Sequence, residues 1–367
     1  MEEKLKEATS LIAKVVDGNN LIAKEAEKVF TDVFLFDKEG YHLLTLCAAL
    51  HTKGETSDEL LGLCKSHEKL GEKLRPKVDF EKLTDLSGTG GGKIKTINVS
   101  TAASFVTAGA GYIVAKQAAF GVTSPTGSAD VFMAFGINPY KLRLSQVNSI
   151  LERVGICPYY IATMSPGLKN RGVIVKKVLI DKGVRIRTPF HLVSFAYAPI
   201  PLKRRIYGCY SEKYLDVLGE LFVKLGNERT LVLHGVGGIP EASNIGETIV
   251  VDQKRKKIDK YILTPKDFGL RKAKVDEIRT GRRERNIIDF LRVLYGKEKG
   301  AKKDIVLANA SVALYVMGKV KNFTDETKFA GQIIDEGLAF KKLEYLVETL
   351  GDKGQLESWK RKANVVS

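Results

Sequence analysis

No stretch of roughly 18 or more uninterrupted apolar residues occurs in the 367-residue sequence, which excludes an ordinary membrane-spanning helix. The four cysteines, Cys47, Cys64, Cys157 and Cys209, are scattered and form no CxxC pair. Neither a zinc site nor a disulfide framework is expected, and a reducing cytoplasm is the expected setting. The opening residues, MEEKLKEATSLIAKVV, carry charge where an export signal would carry an apolar core, so no signal peptide is expected. Internal repeats and low-complexity segments are also missing, which excludes solenoids and flexible linkers.

Present instead is an excess of positive charge, +16 in formal terms. Residues 251–285 alone hold 13 Lys/Arg against 6 Asp/Glu, and LKRR at 202–205 adds a second cluster. Such a surplus attracts polyanions, either nucleic acid or phosphorylated small molecules. It is equally the composition of a lysine-rich, solvated thermophile surface. No aromatic residues interleave with the basic run in the way that base stacking requires.

Apolar spacing predicts four helices before residue 72: EEKLKEATSLIAKVVDG, IAKEAEKVFTDVFLF with Asn20 as its N-cap, YHLLTLCAALHTKG ending at Gly54, and TSDELLGLCKSHEKLG. In the last, Thr56 or Ser57 is the cap and Glu59 stands within capping-box range. Near residue 75 the pattern becomes strand, glycine loop, helix, strand, loop, helix, the signature of an α/β layer with a parallel sheet. The expected division is a helical unit over 1–74, with mostly helical segments of about 141–182 packing on it. An α/β domain then covers 75–140 and 183–367.

Three loops suit phosphate. GTGGGKIKTINVST brings flexible backbone N–H groups next to a helix start, where Asn98, Ser100 and Thr101 supply short polar side chains and Lys93 and Lys95 supply charge. TSPTGSAD opens another helix, and Lys116 ends the strand before it as a point charge. Both loops are expected at the carboxyl ends of parallel strands, where ligands bind in open α/β sheets. In LHGVGGIPEAS, His234 suits a base, a ligand or a purely structural role. Glu241 suits either a magnesium site or a helix cap.

The segment GTGGGKIKTINVSTAASFVTAGAGYIVAK followed by TSPTGSADVFMAFGIN resembles the anthranilate phosphoribosyltransferase family, whose pattern is GTGGDG, T-F-N-I-S-T, K-H-G-N-R and S-K-S-G-S-A-D. HTKGETSDEL, IRTPFHL, TLVLHGVGGIPE and LANASVALYVMGKV extend the likeness over nearly the whole chain. The resemblance implies an α/β fold, with a small helical domain and a larger α/β domain around a central, mostly parallel sheet. This is the type shared by nucleoside phosphorylases and phosphoribosyltransferases. It also implies a cleft between the domains, Mg²⁺ as cofactor, phosphoribosyl pyrophosphate or a related phosphorylated ribose as ligand, and a homodimer through the helical domain. Position by position, Gly88, Thr89, Gly90 and Gly91 match the glycine loop, and Asn98, Ser100 and Thr101 the ribose, metal and phosphate contacts. Lys116, Gly127 and Ser128 match the second phosphate loop, while Ser100 and Glu241 match metal ligands.

The departures fall on the acceptor side. Gly92 and Lys93 replace Asp and Gly of the glycine loop. Gln117, Ala119 and Phe120 replace His, Asn and Arg of K-H-G-N-R. Pro240 replaces one of two acids beside Glu241, and Asp181 stands where an arginine for the anthranilate carboxylate is expected. An altered acceptor is implied, because a lost guanidinium is not conservatively replaced. Two readings follow: a transferase with an altered acceptor, or a non-catalytic member of the fold that binds nucleic acid. The second would use Lys203, Arg204 and Arg205, then Lys254, Arg255, Lys256 and Lys257, then Arg282 and Arg283.

Overall fold

The computed structural model describes residues 2–121, 126–161, 186–318 and 322–365. Helices α1 (Glu2–Val16), α2 (Ala23–Phe36), α3 (Tyr41–Lys53) and α4 (Ser57–Leu70) form the helical unit. α4 starts with the expected capping box: Glu59 N donates to Thr56 Oγ1 (3.3 Å), and Thr56 N donates to Glu59 Oε2 (2.9 Å). Two orphan donors are satisfied at once, a cap of about 1 kcal/mol. The cap of α2 differs from expectation. Ile22 holds the N-cap position and donates its N–H to Glu25 Oε2 (3.0 Å), while Asn20 Oδ1 instead accepts from Lys53 Nζ (2.7 Å). α2 and α4 pack closely because Gly62 has no side chain; a Cβ there would lie 2.4 Å from Ala26 Cβ.

The remaining strands make two sheets rather than one. β1 (Leu83–Thr84), β3 (Ile113–Gln117) and β4 (Ile156–Tyr159) form a parallel three-stranded sheet in the order β1-β3-β4. β2 (Leu86–Gly88), β5 (Arg204–Gly208), β6 (Arg229–Gly235), β7 (Thr248–Lys254) and β8 (Lys257–Leu263) form the second in that order. β2, β5 and β6 are parallel, whereas β7 and β8 are added as an antiparallel hairpin. The chain crosses between sheets at a single residue, Asp85. Its buried carboxylate is held by Arg205 Nη2 at 2.9 Å.

Helices α5 (Val99–Gly109), α6 (Ser128–Ala134) and α7 (Leu144–Val154) follow β2, β3 and a short 3₁₀ turn. The expectation that 141–182 is mostly helical and packs on the helical unit requires correction for its described part. α7 is amphipathic, but Val147, Ile150, Leu151 and Val154 face the α/β core. The apolar run after it is β4, paired with β3. Two apolar clusters result. One lies among α5, α7, the three-stranded sheet and the C-terminal helices. The other joins α1–α4 to the helix Leu215–Lys224 and to Tyr207, Val232 and Val251 on one face of the five-stranded sheet. Among the described residues, no helix is long and apolar enough to cross a membrane, and all four cysteines are buried and outside any disulfide.

Candidate active site

β2 ends at Gly88, which pairs with Gly208 of β5; a Cβ on Gly88 would lie 2.5 Å from the Gly208 carbonyl oxygen. The chain then turns through Gly90 (φ 59°) and Gly91 (φ 74°), backbone that side-chain-bearing residues rarely adopt. Thr89 fixes the turn by accepting Tyr210 N–H at its Oγ1 (2.8 Å) and donating its own N–H to Gly208 O (2.8 Å). The glycine run is therefore a close approach of backbone to backbone. It places the loop at the carboxyl edge of the central sheet, as expected.

α5 begins beside it with an unusual start. Asn98 occupies the N-cap position yet makes no side-chain cap bond; its Nδ2 donates to Asn286 Oδ1 (2.9 Å). Among the described residues, the N–H groups of Ser100 and Thr101 have no acceptor. The Thr101 hydroxyl is buried without a partner. Free donors at a helix start, with the positive end of the dipole behind them, make a place for an anion. Lys116 lies beneath. It is 2 % exposed, and its Nζ donates to Leu86 O and to Ser100 Oγ (3.4 Å). Burial lowers its pKa, with Asp85 and Glu241 opposing the shift. Lys116 thus supports the first loop, a correction to its expected place in the second.

Glu241 lines a small cavity of about 10 Å³ with Ser87, Ser100, Gly208 and Asn309. Its carboxyl has no hydrogen-bond partner among the described residues, and burial pushes its pKa up to about 7 despite the attraction of Lys116. The structure thus brings the two expected metal ligands, Ser100 and Glu241, to one cavity. His234, at the end of β6, makes a hydrogen bond through Nδ1 to Cys209 O (2.9 Å). Because a carbonyl only accepts, Nδ1 carries the proton and Nε2 is the acceptor nitrogen.

The second loop is described at its two ends. Asp130 Oδ2 accepts from Gly121 N (3.0 Å) and Gly127 N (2.8 Å), and Ser128 Oγ accepts from Ala119 N (3.2 Å). Gly127 is required by crowding, since a Cβ would lie 2.4 Å from Ala119 O. Gln117 is buried and donates from Nε2 to Ser194 O (2.7 Å), so it is structural as much as accessible. Ala119 sits at the strand end, and Phe120 is 44 % exposed. The Phe120 ring stacks on Tyr140 at 4.4 Å, and Tyr140 lies 4.3 Å from Tyr160. Asp181 lies outside the described residues.

The sequence reading overlooked Arg187. Its Nη2 donates to Gly91 O (3.3 Å), its guanidinium lies 4.2 Å over the Tyr210 ring, and its Nη1 is buried without a partner. The signal is IRTPFHL, in which the arginine stands directly before the segment's Thr-Pro pair. Asn286 was also missed, and nothing in its local sequence marks it.

Most of the residues assigned to nucleic acid are occupied otherwise. Arg205 is 2 % exposed and donates to Asp85, Ser87, Phe195 O and Ala196 O. Lys203 and Arg204 bridge Glu81 and Glu228. Arg283 Nη2 donates to Asp130 O (3.2 Å). Lys254, Arg255, Lys256 and Lys257 do surround an exposed turn between β7 and β8, where Lys257 pairs with Asp259, and Arg282 is exposed.

Residues 81–340 match the family described as the glycosyl transferase family, a/b domain. The anthranilate phosphoribosyltransferase of Methanococcoides burtonii is 36% identical over 349 residues, 95% of this chain and 96% of that one. That of Exiguobacterium sibiricum is 34% identical over 336 residues, 92% and 96% of the two chains. Among solved structures, anthranilate phosphoribosyltransferase from Thermus thermophilus superimposes with a TM-score of 0.82 at 27% identity, over 93% of this chain and 99% of that one. The Saccharomyces cerevisiae enzyme in complex with PRPP and Mg gives a TM-score of 0.83 at 19% identity, over 94% and 97%, a likeness of fold.

Proposed function

The chain belongs to the anthranilate phosphoribosyltransferase family of pentosyl transferases, and from that premise we propose that it binds phosphoribosyl pyrophosphate with Mg²⁺ and transfers the phosphoribosyl group to an acceptor whose pocket departs from the family pattern. The observation that carries the donor half is the open start of α5, with the free N–H groups of Ser100 and Thr101 and the orphaned Thr101 hydroxyl. Pyrophosphate oxygens satisfy these groups, and the turn through Gly90 and Gly91 lets backbone approach them closely.

Ser100 and Glu241 are the groups that would hold Mg²⁺ here. The ion keeps several waters and phosphate oxygens, and needs only one or two protein ligands. Bound there, it would neutralise charge on the pyrophosphate as that group leaves with its electron pair. The carboxylate of Glu241, lacking a partner, is the protein's contribution. Gln117, Ala119 and Phe120 then line the acceptor side, and Arg187 offers a cation next to the glycine loop. An acceptor with a flat ring and a negative group suits that lining; its nucleophile bonds to the ribose carbon as the bond to pyrophosphate breaks, and its proton passes to solvent. A second copy is expected against the helical unit, where Val16, Ile22, Leu35 and Tyr41 are exposed. Five of the nine residues proposed for nucleic acid are paired or buried, which narrows that second reading to the exposed turn between β7 and β8 and to Arg282.

Calorimetric titration with phosphoribosyl pyrophosphate and Mg²⁺ tests the donor half; no binding at millimolar donor overturns it. Pyrophosphate release across a panel of aromatic acids tests the acceptor half.

A further inference from the structure

An asparagine at an N-cap position normally turns its Oδ1 onto the N–H two or three residues on, closing the helix start. Asn98 does not. Asn286, 3 % exposed in the first turn of the helix Arg283–Leu294, donates from Nδ2 to Thr96 O (3.3 Å). A carbonyl accepts only, so this bond fixes the orientation of the Asn286 amide and leaves Oδ1 facing Asn98. Asn98 must therefore present Nδ2 to it, at 2.9 Å. That bond draws the Asn98 side chain away from its own helix.

The segment carrying Asn286 is itself anchored to this entrance. Thr280 N donates to Lys95 O (3.0 Å), and Thr96 bridges to Arg279. Thr280 Oγ1 donates to the buried Asp289 (3.2 Å), which also holds Lys302. We propose that Asn286 is a positioning residue that keeps the start of α5 uncapped, so that the Ser100 and Thr101 N–H groups stay available to the phosphate of the donor. This rests on the donor site proposed above. The competition is internal: without Asn286, Asn98 is free to cap α5 and takes the donors that the anion needs. The buried, unpartnered Thr101 hydroxyl at the same turn is the independent sign that a ligand completes it.

Titration of the full chain with Mg²⁺-pyrophosphate tests this. Asn286→Ala is expected to weaken pyrophosphate binding about fivefold, the scale of one N-cap interaction. Removing the competitor as well, in Asn98→Ala/Asn286→Ala, is expected to return most of that loss, because pyrophosphate carries no ribose for Asn98 to contact; general destabilisation cannot produce such a reversal. Unchanged affinity in Asn286→Ala, or a double variant as weak as the single one, overturns the assignment. If Asn286→Ala fails to fold, Asn98→Asp serves. Its carboxylate is repelled by Asn286 Oδ1 and is expected to cap α5, raising Tm while weakening pyrophosphate; unchanged affinity there overturns the assignment equally. Failure of the unaltered chain to bind pyrophosphate overturns the donor site itself, and this assignment with it.

Discussion

Gly208 and Pro240 share a contact that admits no side chain: a Cβ on Gly208 would lie 1.6 Å from the Pro240 carbonyl oxygen. The segment bearing Glu241 is thereby seated on the end of β5, against the strand that pairs with Gly88.

Gly208→Ala is therefore expected to displace Pro240 and Glu241 together. Forcing a methyl into packed backbone costs roughly 3 kcal/mol, readable in urea denaturation. Mg²⁺-dependent donor affinity should fall about tenfold, by the size of one lost charged contact. A variant with unaltered denaturation midpoint and affinity would show that the contact opens freely.

The Glu241 carboxyl gives a pH dependence of definite sign. Burial raises its folded pKa to about 7, against 4.5 for the ordinary group. Between those values the folded chain holds a proton that the unfolded chain has released. The contribution of Glu241 to stability thus falls as pH rises across that window and levels off above it. Donor and Mg²⁺ need the carboxylate, so their binding should strengthen as pH rises through about 7. Glu241→Gln should flatten both profiles, measured by denaturation and by titration at a series of pH values.

Arg205→Ala leaves the Asp85 carboxylate buried and unpaired at the crossing between the two sheets. A cost of about 3–5 kcal/mol is expected, with Asp85→Ala losing a similar amount and the double variant far less than their sum. Additive losses in urea denaturation would mean that the pair does not act as one unit.

Arg187→Lys keeps the charge but loses the planar group that lies over Tyr210 and reaches Gly91 O. With an acceptor bearing a carboxylate, kcat/KM is expected to fall at least about tenfold, since lysine does not reproduce a stacked guanidinium. The donor Kd should move less than about threefold. Equal effects on both substrates in steady-state kinetics would assign Arg187 to the loop alone.

The sequence was most legible where chemistry and backbone coincide. Glycine at Gly88 and Gly127 reports crowding, and polar residues after a glycine run report a helix start, so the first loop and the start of α6 were readable. The helical unit was readable from apolar spacing. The break between the sheets was not, because it occurs at one residue whose neighbours read as a continuous strand. β4 was missed because ICPY is too short to distinguish from the end of α7. Arg205 was misassigned because a run of like charges says nothing of which member points inward. Asn286 acts through a contact 188 residues distant in sequence, beyond any local pattern.

The alternation along β5, β6 and β7 has a wider consequence. Ile206, Leu231 and Val250 serve one cluster, and Tyr207, Val232 and Val251 serve the other. The five-stranded sheet is a party wall between two rooms, and neither room stands without it. Cutting the chain near residue 74 would strip that wall on one side rather than release a tenant. Heat should therefore unfold the protein in a single calorimetric peak, with the glycine loop and the helical unit lost together.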